Sequence, residues 1–307
     1  MSQKYTAAPS GSKVSIQSLH SKKTRKEPIT FLTAYDFPTA VALDRAGIDG
    51  ILVGDSLGMV VLGYENTLPV TMQDMLHHCR AVSRGVSRAH LVGDLPFMSY
   101  QASTADALRN AGSLLQKGGM DAVKLEGGRE RVKVIKSIIA AGIPVMGHLG
   151  LTPQSVHQLS GWKVQGKSPD AARELIEDAL ILEDAGCYAL VLESIPVEVA
   201  EIISKRLNIP VIGIGAGSQC DGQILVTHDL LGLFDRFTPS FVKKYADLFS
   251  AMERAFGEYI EDVKAHRFPA AEHAHTMDPQ AFRALTREIS LPADIADRDE
   301  NSPTRYH

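Results

Sequence analysis

Apolar and polar positions along this chain fall into short, solid apolar runs that alternate with stretches of helical spacing. Gly50-Ile-Leu-Val-Gly-Asp55-Ser56-Leu-Gly58 shows the unit plainly: small and apolar residues run together, then stop at an acid, a hydroxyl and a glycine. A continuous apolar run of this length, bounded by turn residues, predicts a strand buried on both faces. The same pattern predicts strands at Pro28–Asp36, Gly50–Asp55, His90–Asp94, Ala122–Glu126, Pro144–Leu149, Ala189–Glu193, Pro210–Gly217 and, more weakly, Gln223–Thr227. Between them the spacing predicts helices over Phe37–Ala46, Met72–Gly85, Ser103–Lys117, Arg129–Ala141, Pro169–Ala185 and Pro196–Leu207, with a last helical stretch at Pro239–Ala265. Gly47 reads as a C-cap and Thr71 as an N-cap.

Strands that alternate with helices in this way form parallel β/α units. Eight of them predict a closed (β/α)8 barrel of the α/β class, with an open doubly wound sheet as the second choice. The expected organisation is a flexible arm over residues 1–26, holding at most a short helix at Ser15–His20, a barrel over 27–270, and a charged, Pro- and His-bearing tail over 271–307.

Composition narrows the picture without deciding it. The 307 residues are 44% hydrophobic and 22% charged, ordinary for a globular chain. A formal net charge of −4 gives no basic footprint for nucleic acid. Three cysteines, Cys79, Cys187 and Cys220, without C-x-x-C spacing read as free, mostly buried thiols of a reducing compartment. No apolar run approaches the roughly 18 residues of a membrane span, and Met1–Lys26 lacks the apolar segment of a secretory signal. Cytoplasm is the expected location.

The chemistry gathers where the strands end. Asp55, Asp94, Glu126 and Glu193 each close an apolar run, and a carboxylate is costly to bury unless paired, hydrogen-bonded or on a metal. Barrel enzymes carry their sites on the face where the strands end, so these acids point to one shared site. Asp55 and Asp94, with Glu126 as a third donor, suit a hard octahedral cation such as Mg²⁺; helix capping is the plainer use of any one of them. Lys124, two residues before Glu126 and therefore on the same strand face, offers a cation for a substrate carboxylate, a Schiff base, or a simple ion pair. Glu193, bordered by Val191, Leu192 and Ile195, is placed as a general base. His148 reads as a hydrogen-bonded neighbour of the site rather than a ligand. Gly161-Trp-Lys-Val-Gln-Gly-Lys-Ser168 matches the phosphate-loop pattern by letter, yet Thr152–Ser160 before it does not read as the strand that such a loop requires.

The blocks Leu-Val-Gly-Asp55-Ser56-Leu-Gly-Met, Asp94-Leu-Pro-Phe-Met, Val-Lys124-Leu-Glu126-Gly-Gly, Gly-His148-Leu-Gly-Leu-Thr-Pro-Gln-Ser, Lys-Val-Gln-Gly, Leu-Glu193 and Pro-Val-Ile-Gly-Ile-Gly-Ala-Gly, spread over Pro28–Pro269, together resemble the ketopantoate hydroxymethyltransferase family. That resemblance implies a (β/α)8 TIM barrel of the phosphoenolpyruvate-mutase/isocitrate-lyase type and a Mg²⁺-dependent one-carbon transferase of pantothenate biosynthesis. It implies transfer of a hydroxymethyl group from 5,10-methylenetetrahydrofolate to 3-methyl-2-oxobutanoate, through a Mg²⁺-stabilised enolate, to give 2-dehydropantoate. By matching motif, Asp55 and Asp94 would ligate the metal, with Glu126 on it directly or through water. Asp55, Ser56, Asp94 and Lys124 would touch the keto acid, and Glu193 would accept its proton. A homo-oligomer, often decameric, is also implied. A C–C lyase or phosphomutase on a related barrel is the alternative, and no strand end here carries the cysteine that would favour lyase chemistry.

Overall fold

The structure, a computed structural model, describes residues 11–159 and 161–289. Eight strands, β1 Ile29–Thr33, β2 Gly50–Val53, β3 His90–Asp94, β4 Ala122–Lys124, β5 Val145–Gly150, β6 Ala189–Glu193, β7 Val211–Ile214 and β8 Gly222–Leu225, form a closed barrel in sequence order. Every neighbouring pair is parallel, and β1 closes on β8 with Phe31 opposite Ile224. All strand C-termini therefore open on one face.

Two apolar layers hold the barrel. Phe31, Leu52, Val92, Met146, Val191 and Ile212 fill its interior. Ile51, Val53, Leu91, Val123 and Leu190 face outward against helices that contribute Met75, Leu114, Ile135 and Leu182. The helices start where their sequences provide caps. Thr71 and Asp74 make a reciprocal capping box for Met72–Ser83, and Ser168 accepts the Ala171 N–H at the start of Pro169–Asp184.

The interior is tight enough to dictate a glycine. A Cβ built on Gly50 would overlap the Phe31 ring, which fills the space beside β2. Gly50→Ala is therefore expected to destabilise the protein by roughly 1–3 kcal/mol through overpacking, read as a lower urea midpoint; an unchanged midpoint would refute this packing.

Strands come out shorter than their apolar runs at several ends. β2 stops at Val53 and β4 at Lys124, so Asp55 and Glu126 sit in the turns just beyond. The last helical stretch begins at Leu248 rather than Pro239. The N-terminal segment differs most. A helix spans Ile16–Arg25, with Leu19 buried against Ile29 and Phe31. Lys22 pairs with Asp49 at 2.6 Å and Lys23 with Asp221 at 2.7 Å. Asp49 and Asp221 immediately precede β2 and β8, so this helix is tied to the end of the barrel away from the strand C-termini. Residues 1–10 and 290–307, parts of the expected arm and tail, lie outside the described residues. The chain divides into two compact units between Ala246 and Asp247. Unit two contains the helices Leu248–Lys264 and Pro279–Glu288.

Candidate active site

The strand C-termini enclose a cavity of ≈ 710 Å³ lined by Asp55, Ser56, Asp94, Lys124, Glu126, His148 and Glu193 among others. Every residue singled out from the sequence meets the others there. The register explains the centre, because Asp94 lies opposite Lys124 across β3 and β4. Lys124 Nζ donates to both Asp94 oxygens, at 2.8 and 2.9 Å, and stands 3.8 Å from Glu126 Oε1. The Asp55 N–H donates to Asp94 Oδ2 at 3.2 Å, joining the ends of β2 and β3. His148, on β5, stands between two acids, with Nδ1 3.5 Å from Glu126 Oε1 and Nε2 3.3 Å from Glu193 Oε2. Neither contact has hydrogen-bond alignment, so the attraction is that of neighbouring charges.

Burial and charge act together here. Burial, then the neighbouring Asp94 and Glu126, push the Asp55 carboxyl well above the usual carboxylate range. Burial also raises Asp94, although the Lys124 ammonium opposes it. Burial works against charge on Lys124 as well, but Asp94, Glu126 and Asp55 prevail and hold its ammonium above the usual lysine range. Burial and Lys124 pull the His148 imidazole down, while Glu126 and Glu193 outweigh them and raise it to about 9. Glu126 ends below the usual range, because His148, Lys124 and the Gln154 N–H overcome the burial that would raise it.

Among the described residues, no three His, Cys, Asp or Glu side chains converge as a ready-made metal cage. The donors nonetheless suit a divalent cation. Among the described residues, Lys124 and His148 are the cations within ion-pair distance of the four acids Asp55, Asp94, Glu126 and Glu193, so carboxyls outnumber cations in the cluster. Glu126 Oε1 is buried without a hydrogen-bond partner. An all-oxygen set of this kind is what Mg²⁺ prefers.

Several residues around the site carry no signal in the sequence. Gln154, in the 3₁₀ turn Pro153–Ser155, donates its amide to Asp55 Oδ2 at 2.8 Å. Tyr100 OH bonds Gln154 Oε1 at 2.7 Å, and Tyr35 OH shares a hydrogen bond of 2.8 Å with Ser56 Oγ. Asp229, just past β8, lines the cavity and is pushed up to about 6, mainly by burial, against the opposing pull of Lys244. A carboxyl raised in this way binds its proton more tightly when folded, so its contribution to stability is present at low pH and lost as pH rises through that value. Asp229→Asn is expected to flatten the fall in stability between about pH 4 and about pH 7, followed by urea titration at each pH; parallel wild-type and variant profiles would refute the assignment.

The phosphate-loop match fails on geometry. The 3₁₀ turn, not a strand, leads toward Gly161, and Lys167 is exposed and outside the cavity lining. Ser168 serves as a helix cap instead.

Fold and site together define a class of enzyme barrel. A phosphoenolpyruvate phosphomutase from Streptomyces platensis superposes with a TM-score of 0.56 at 14% identity, covering 89% of this chain and 96% of that one. A 2,3-dimethylmalate lyase of the phosphoenolpyruvate mutase/isocitrate lyase superfamily gives 0.54 at 16% identity, covering 89% and 95%. These likenesses establish the fold.

The sequence identifies the family within that class. The family model for ketopantoate hydroxymethyltransferase matches residues 13–271, and the chain belongs to that family. A 3-methyl-2-oxobutanoate hydroxymethyltransferase of Thermoanaerobacter sp. (strain X514) is 58% identical over 266 residues, 87% of this chain and 97% of that protein. One from Enterococcus faecalis is 56% identical over 263 residues, 86% and 96% respectively.

Proposed function

We propose that the chain transfers a hydroxymethyl group from 5,10-methylenetetrahydrofolate to 3-methyl-2-oxobutanoate, forming 2-dehydropantoate and tetrahydrofolate, with a water molecule supplying the hydroxyl. One observation carries this reading beyond family membership. A candidate base, Glu193, shares a cavity with the Asp55–Asp94–Lys124 cluster that would receive the keto acid, and His148 stands between Glu193 and Glu126.

Lys124 has three N–H donors. Two point to Asp94, which leaves the third for the keto acid's carboxylate. Ser56, held by Tyr35, adds a hydroxyl beside it. Glu193 takes the C3 proton, and the His148 imidazolium 3.3 Å away steadies the carboxylate before transfer. Water adds to the methylene carbon of the folate and both of its C–N bonds break, leaving tetrahydrofolate and a one-carbon unit at the level of formaldehyde. The C3 carbanion, written equally as an enolate, then bonds to that carbon, whose oxygen takes up a proton to become the new hydroxyl. Asp55 and Asp94, with Glu126 directly or through water, would hold Mg²⁺. Bound there, the ion would supply positive charge that makes C3 more acidic. Trp162, Phe237 and Phe241 line the cavity and are 46%, 61% and 37% exposed, offering flat apolar surface on which a pterin ring could stack.

Lyase chemistry finds less support, since among the described residues no cysteine lines the cavity. Cys79, Cys187 and Cys220 are free thiols, in keeping with a reducing, cytoplasmic setting, and no helix among the described residues is long and apolar enough to cross a membrane. Phe256, Tyr259 and Ile260 on the helix Leu248–Lys264 are all exposed, an apolar surface that supports a homo-oligomer, with a decamer as the expected form. The half-reaction tests the proposal. In D₂O with Mg²⁺, the protein is expected to exchange the C3 proton of 3-methyl-2-oxobutanoate for deuterium without folate; no exchange above the protein-free rate would refute it.

A further inference from the structure

We infer that Gln154 is a positioning residue that sets the orientation of the Asp55 and Glu126 carboxylates and so the affinity of the site for a divalent cation. This assignment rests on the divalent-cation reading given above. Gln154 is 5% exposed, and both ends of its side-chain amide are engaged. Nε2 donates to Asp55 Oδ2 at 2.8 Å and to the Leu95 carbonyl at 2.9 Å. Oε1 accepts from Tyr100 OH at 2.7 Å and from Gln101 Nε2 at 3.2 Å. The backbone N–H of Gln154 donates to Glu126 Oε2 at 3.0 Å.

These contacts allow one amide orientation only. A flip would set the amide oxygen against the Leu95 carbonyl, which can only accept, and the amide nitrogen against Gln101 Nε2, which can only donate. Tyr100 OH has a single proton. It gives that proton to Gln154 Oε1, the shorter contact, and accepts the Glu126 N–H at 3.2 Å. Tyr100 thus keys the amide and the Glu126 backbone at once.

The consequence falls on the free oxygens. One residue takes Oδ2 of Asp55 and Oε2 of Glu126, leaving Oδ1 and Oε1 for the cavity. Glu126 Oε1 is buried without a hydrogen-bond partner. Partners that hold ligating carboxylates in place commonly contribute about 10- to 100-fold to metal affinity.

The test uses the full chain, Mn²⁺ alone as the probe, and its electron paramagnetic resonance signal as the readout of binding. Gln154→Met keeps the length and burial of the side chain but removes its donors and acceptor. It is expected to weaken Mn²⁺ binding by about 10- to 100-fold, with C3 exchange partly restored by raising the cation concentration. Tyr100→Phe is expected to shift affinity in the same direction by less, because Leu95 still fixes the amide; it decides the question if Gln154→Met does not fold. Mn²⁺ affinities equal to wild type in the folded variants would overturn the assignment. A wild-type protein that binds no Mn²⁺ yet exchanges C3 would instead overturn the cation reading on which it rests.

Discussion

Asp94→Ala is expected to abolish C3 exchange and to destabilise the protein by roughly 3–5 kcal/mol, the usual cost of stranding one partner of a buried ion pair. The side chains of Asp94 and Lys124 are 1% and 5% exposed, and Lys124 directs two of its three donors to this one carboxylate. Without Asp94, the ammonium keeps Glu126 Oε1 at 3.8 Å as its nearest remaining carboxylate contact. The same variant removes the acceptor for the Asp55 N–H, so the turn after β2 loses its hydrogen bond to the end of β3, while the strand pairing itself remains. A second variant separates stability from chemistry. Replacing the pair together, as Asp94→Leu with Lys124→Met, is expected to recover much of the stability, because apolar residues of similar volume can replace a buried pair at little cost. Exchange should remain absent. Denaturant melts and proton exchange followed by NMR measure the two effects, and appreciable exchange in the double variant would show that the pair is only structural.

Glu193→Gln is expected to slow C3 exchange by about 10²- to 10⁴-fold, the range attributed to a positioned general base, while keto-acid affinity changes little. The amide keeps the shape of the side chain but cannot take up the proton. Exchange at the wild-type rate would remove Glu193 from the reaction and leave Glu126, on the other side of His148, as the acid to examine.

The two variants address different parts of the cavity, and the sequence discloses those parts unequally. Acids at strand ends are legible because their cost stands out against an apolar run; Asp55, Asp94, Glu126 and Glu193 all reach one cavity on that logic. Lys124 is legible as a cation on the right face, but only the pairing of β3 with β4 shows that Asp94 claims two of its donors. Gln154 has no local pattern to announce it. It follows β5 in a connection with little periodicity, and its amide reaches an acid 99 residues earlier in the chain. Asp229 is hidden for a related reason, since it follows the weakest of the strand signals and shows its burial only once the barrel is closed. The helix Ile16–Arg25 escapes full prediction because its fixing points, Asp49 before β2 and Asp221 before β8, lie far apart in the sequence and meet only in the closed barrel.

Product formation tests the central claim most directly. Wild-type protein would be given 3-methyl-2-oxobutanoate and 5,10-methylenetetrahydrofolate labelled with ¹³C at the methylene carbon, with Mg²⁺ or with excess chelator. The expected result is 2-dehydropantoate carrying the label in its new hydroxymethyl group, formed with Mg²⁺ and lost with chelator. Label that stays on the folate while Mg²⁺ and keto acid are both saturating would contradict the assignment.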